Sequence, residues 1–204
     1  MRPADQPFRK PLDHAERGIR TYFDDLDRAA VDTLSERFEG IVPEERLLAM
    51  RELPTQFEDR EQFESSYAAA SGEAPGEGVG GFSQGIDQPA HVLGEDAQSV
   101  PEIVMHERVH QLSHPDAARV LGGELCEGVT EDVALGAARL DPEFWPAQGY
   151  PEETRRAAQM RETCGSEAVE KAYFQGDTSE LRQRIERRLS DLPDIEESED
   201  RSIP

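Results

Sequence analysis

This sequence predicts an α+β fold, mainly helical with one small antiparallel sheet, on three observations. Apolar residues recur at helical spacing along most of the chain. Only two short stretches have the composition of strands, and they lie together, just before a helix that carries three of the five histidines. With 204 residues and 36% hydrophobic composition, the chain can bury a core.

From Leu12 to Ile41, apolar residues fall three or four apart, among them Ile19, Phe23, Ala30, Leu34 and Phe38, which predicts a long amphipathic helix. Pro43 opens a short second helix through Leu53. Thr55 and Glu58 have the spacing of a capping box before a third, carrying Phe57, Phe63 and Tyr67. Residues 1–70 thus form an N-terminal helical region. The stretch 71–80 is glycine-rich and reads as a linker or loop. Strands are predicted at Phe82–Gln84 and His91–Leu93, paired as a hairpin across GIDQPA. Ser99, Pro101 and Glu102 announce the next helix, and His114-Pro115 ends it. Beyond the glycines at 122 and 123, ELCEGVTEDVALGAARL reads as a helix, FWPAQGYP as a loop, and 151–174 and 178–191 as helices, the last placing Leu181, Ile185 and Leu189 on the core. Residues 193–204 form an acidic tail with the composition of disorder.

Asp and Glu number 44 against 22 Lys and Arg, a formal charge of −22. Such a surface repels phosphate backbones, so nucleic acid is excluded as a partner. No run is long and apolar enough for a membrane span, and the start, MRPADQPFRKPLD, lacks a signal peptide's hydrophobic core. The expectation is therefore no membrane partner and a cytoplasmic protein, with export by a non-classical route as an effector left open. Cys126 and Cys164 match no cysteine zinc pattern and are expected to be buried thiols. Oligomeric state is not legible.

The chemistry concentrates in VMHERVHQLSH, residues 104–114, where histidines stand at 106, 110 and 114. His106-Glu107-Arg108-Val109-His110 fits H-E-x-x-H on a helix: i and i+4 imidazoles share a face and can share a Zn2+ ion, with Glu107 beside it. On a continuous helix His114 would lie about 12 Å along the axis from His106, too far to join the same ion. Glu127 is the better third ligand, at the start of a helix able to pack against the first. Glu131, one turn later, can accept a hydrogen bond from the far nitrogen of a ligand histidine.

H-E-x-x-H followed at this distance by E-G-x-T-E resembles the gluzincin group of zinc metallopeptidases, over about residues 80–134. EAVEKAYFQGD, 167–177, is similar to a late segment of some small bacterial and phage-type members. The resemblance implies a zincin-like catalytic core over 81–192, with His106, His110 and Glu127 as ligands, Glu107 as catalytic base, Glu131 supporting the first histidine, and a peptide or protein as substrate. Zinc would lower the pKa of a bound water, from which Glu107 would take a proton. The oxyanion needs one further donor, for which Tyr173 is the first choice, with Tyr150 and His91 as alternatives. His91 and Val92, on AHVLG, would bind an extended peptide if that strand runs along the cleft edge, as the resemblance implies. The alternative from a different class is a non-catalytic acidic interaction module with a degenerate or structural zinc site, closed by His114 or Cys126 as a fourth ligand.

Overall fold

The computed structural model describes residues 12–95, 99–138 and 150–191. The predicted tail and most of the FWPAQGYP loop lie outside these residues. Among the described residues the chain is mainly helical, with one three-stranded sheet. Helix α1, Leu12–Phe38, buries Phe23, Ala30, Val31, Leu34 and Phe38 along one stripe, while Ile19 and Tyr22 near its start are exposed. Pro43 precedes α2, Glu44–Glu52, as the sequence predicts.

The structure departs from the expected third helix at its beginning. Residues Gln56–Glu58 form strand β1, and helix α3 spans Arg60–Ser71 with Asp59 as its cap, accepting a hydrogen bond from the Gln62 amide. Thr55 does not cap; its amide and hydroxyl donate to the buried carboxylate of Asp27 in α1. A side chain already engaged by a buried acid cannot serve a helix end, and Phe57 is then free to stack on Phe23, with centroids 4.5 Å apart.

Strands β2, Gly81–Ser83, and β3, Ala90–Leu93, pair antiparallel as expected, but β1 adds parallel to the other edge of β3. The sheet is therefore mixed, in the order β1-β3-β2, and β3 is its central strand. Backbone pairing on both sides of β3 closes it to any further chain. Among the described residues the outer edge of β2 has no strand partner.

Helix α4, Val100–Leu112, carries the histidines and lies against the sheet, α1 and α2. Ten of its residues are buried, including Arg108 at 0% exposure. Arg108 is neutralised by a bidentate pair with Asp27, Nη2 to Oδ2 at 2.6 Å and Nε to Oδ1 at 2.9 Å. Its remaining Nη1 donates to the carbonyls of Met50 and Leu53 and to Gln111. One side chain thus ties α4 to α1 and to the end of α2, fixing which face α4 turns outward.

Helix α5, Ala117–Leu121, leads into α6, Gly123–Ala138, which packs on α4. The single helix expected over 151–174 is broken. Helix α7 covers Pro151–Cys164, Gly165 takes a left-handed φ of 82°, α8 covers Ser166–Glu170, and a π-helical turn runs Lys171–Gln175. Arg161 holds the corner, donating to Asp132 and Glu170. Helix α9, Ser179–Ser190, buries Leu181, but Ile185 and Leu189 are 40% and 60% exposed, contrary to the sequence expectation. One buried cluster runs from Phe23 to Leu181, with residues from both sides of the glycine-rich stretch. No helix among the described residues is long and apolar enough to cross a membrane.

Candidate metal centre

Two helices build the site. On α4 the four-residue spacing sets the rings of His106 and His110 4.8 Å apart at 71°. On α6, Glu127, Thr130 and Glu131 share a face by the same periodicity, turned towards the histidines. Glu127 Oε2 lies 3.0 Å from His110 Nε2 and 3.3 Å from His106 Nε2. One nitrogen from each imidazole and one carboxylate oxygen all fall within 4.8 Å of one another. Two atoms bound to zinc at about 2.1 Å in a tetrahedron stand about 3.4 Å apart, close to the histidine-to-glutamate separations.

The far nitrogens are occupied. His106 Nδ1 is 2.8 Å from Glu131 Oε2, and His110 Nδ1 is 3.3 Å from Thr130 Oγ1. The Thr130 hydroxyl donates to the Cys126 carbonyl, so it accepts from His110 and from the Tyr173 hydroxyl at 2.6 Å. These contacts put protons on both Nδ1 atoms and turn both Nε2 lone pairs towards Glu127. Two lone pairs and an anion facing one another require a cation between them, either protons or a metal. The donor set, two imidazoles and a carboxylate, suits zinc.

Charge tells the same story. Burial pulls His106 down, but hydrogen bonds to Glu127 and Glu131 and the charge of Glu107 outweigh it and raise the group to about 10. Burial pushes Glu127 up, yet hydrogen bonds from His106 and His110 hold it well below the usual carboxylate range. Glu107 is raised, chiefly by burial, with the two histidines opposing. A zinc ion taken up there would have to displace the proton on His106. Binding at pH 7 is expected to release about one proton, and apparent affinity to climb as pH rises from 6 to 8; calorimetry in buffers of different ionisation enthalpy reads both.

Glu107 lines two cavities, of 490 and 590 Å3, and His106 and Tyr150 line both with it. It packs under β2: a Cβ added at Gly81 would lie 2.7 Å from Glu107 Cγ, so only glycine lets the strand approach this closely. Gly128 does the same for α7, where an added Cβ would meet the Glu153 carbonyl at 2.2 Å. That close crossing brings the start of α7 over the site, and Tyr150 stacks on His106 at 5.7 Å.

The other residues singled out from sequence lie outside the His106–His110–Glu127 cluster, although His114 and Cys126 line the 590 Å3 cavity with it. Tyr173 is wholly buried behind His110, bonded to Thr130, and is not in either cavity. His91 stacks on Phe82 at 4.5 Å, and its Nδ1 is 3.0 Å from Glu58. Val92 is in the core. Because β3 is central, neither is at a cleft edge; that edge belongs to β2. His114 and Cys126 are not in the ligand cluster. Burial, then the charge of Glu127, push the Cys126 thiol up to about 12, so it stays protonated. Thr130 was missed, although its place between Glu127 and Glu131 marks it as sharing their helix face. Comparison with known proteins found no matching family model, no matching curated protein and no matching solved structure.

Proposed function

We propose that this chain is a zinc-dependent peptidase of the gluzincin type, hydrolysing peptide bonds with Glu107 as proton carrier. The convergence of His106, His110 and Glu127 beside a buried carboxylate that belongs to neither helix's ligand set is the observation that carries the reading. Zinc held there would act as a Lewis acid on the scissile carbonyl and would acidify water. Glu107 takes a proton from the attacking water as its oxygen bonds to the carbonyl carbon, and returns it to the amine nitrogen as the C–N bond breaks. Burial raises its proton affinity, which suits a group that must both accept and donate. Glu131 and Thr130 hold the imidazoles in one tautomer.

Tyr150 is the oxyanion donor in this reading, in place of Tyr173. It lines both cavities, and burial with the charges of Glu127 and Glu107 pushes its hydroxyl up to about 12, so it remains a donor. The open edge of β2, beside Glu107, offers backbone groups to an extended peptide. Among the described residues three ligands come together, without His114 or Cys126, which favours an open site over a closed structural one. The test is digestion of an unbiased peptide mixture by the zinc-loaded chain, with products read by mass spectrometry. Internal cleavages are expected, abolished by 1,10-phenanthroline and restored by zinc. Intact peptides in every lane would remove the reading.

A further inference from the structure

The third histidine of the stripe is held as firmly as the first two, but for another direction. The His114 backbone amide donates to the Tyr173 carbonyl at 2.8 Å, and its carbonyl accepts from Ala117 at 2.8 Å. The ring's Nδ1 accepts a hydrogen bond from the Asp116 amide at 3.1 Å. The Cγ–Nδ1–Cε1 edge lies against Gly176, where an added Cβ would sit 2.9 Å from Nδ1 and Cε1. Gly176 has a φ of 71°, so its backbone favours the residue that leaves the ring this space. An imidazole whose Nδ1 accepts from an amide carries its proton on Nε2. Among the described residues nothing bonds to that Nε2. His114 lines the 590 Å3 cavity together with His110, Glu127 and Tyr150, and with Phe82 and Ser83 of the β2 edge.

We propose that His114 is a substrate-binding residue whose fixed Nε2–H donates to a carbonyl oxygen of a peptide lying between it and β2. This rests on the peptidase reading and adds to it a recognition point in the 590 Å3 cavity, which Glu102 and Ile103 do not line. The ring is pre-positioned by backbone contacts, so little freedom is lost when the bond forms. A neutral donor also suits a backbone carbonyl, which the surrounding carboxylates do not repel as they would an anion.

The two ring nitrogens can be tested separately. His114→Asn places a side-chain oxygen where Nδ1 stands, able to accept from the amide two residues on, but lacks the distal N–H. His114→Gln extends an N–H towards the Nε2 position and loses the Asp116 contact. The probe is a phosphinic peptide, Ac-Ala-Ala-ψ[PO2-CH2]-Ala-Ala-NH2, which spans both sides of a zinc centre. Its affinity for the zinc-loaded wild type and both variants is measured by calorimetry, alongside imidazole 15N spectra of the wild type. The Asn variant should bind roughly three- to tenfold more weakly and the Gln variant closer to wild type, the loss being that of one neutral hydrogen bond. The spectra should show the Nε2–H form of His114, with that resonance shifting when the probe binds. If the wild type binds and the variants weaken equally or in the opposite order, His114 is only a turn residue and the proposal falls. If the zinc-loaded wild type does not bind the probe at all, the peptidase reading falls and takes this one with it.

Discussion

Glu107→Gln is expected to keep one zinc ion per chain and to lower kcat on peptide substrates by roughly 10²- to 10⁴-fold, the usual contribution of a general acid–base group. The substitution changes almost no volume, which matters under Gly81, where the side chain has no room to grow. It removes a titratable oxygen and leaves His106, His110 and Glu127 untouched. KM should therefore move far less than kcat. A purely structural metal site would feel no such change, since it has no use for a base at that position. Steady-state kinetics with metal analysis of the same samples checks both halves of the expectation.

Arg108→Met should produce the largest loss of stability. The guanidinium is fully buried and satisfies Asp27, two backbone carbonyls and Gln111 at once. Removing it strands the Asp27 carboxylate, leaving it with the Thr55 amide and hydroxyl. Breaking a buried pair in this way costs about 3–5 kcal/mol. For a domain of this size that lowers Tm by roughly 6–20 °C. Pairing it with Asp27→Leu should restore much of the loss, because the uncompensated charge goes too. Urea denaturation of the single and double variants reads the coupling. If Arg108→Met unfolds at the wild-type midpoint, the pair does not anchor α4.

The sequence carried the His106–His110–Glu127 cluster further than it carried the fold around it. His106, His110, Glu127 and Glu131 were legible because helical periodicity alone places i and i+4 together, and both helices lie where the sequence predicts, although the Ser99 side chain makes no cap hydrogen bond at the start of α4. Contacts between distant segments left no local signal. Nothing in the spacing of Asp27 and Arg108 shows that they meet, although they are 81 residues apart and in direct contact. Strand β1 was hidden because Thr55 and Glu58 imitate a capping box, and only the tertiary pull of Asp27 on Thr55 reveals otherwise. The parallel pairing of β1 then made β3 central and left the sheet's edges to β1 and β2, so His91 and Val92 stand on no open edge. The sequence placed Tyr173 ahead of Tyr150, whereas Tyr150 lines both cavities and Tyr173 is buried. Their difference depends on the break at Gly165 and on the close approach at Gly128, both of which concern how helices cross.

X-ray absorption at the zinc edge on the stoichiometrically loaded chain tests most directly whether His106, His110 and Glu127 hold one divalent ion. One zinc per chain is expected, with only nitrogen and oxygen neighbours at about 2.0–2.2 Å and the scattering pattern of two imidazoles. A sulfur neighbour at about 2.3 Å, a single imidazole, or a chain that retains no zinc would contradict the assignment.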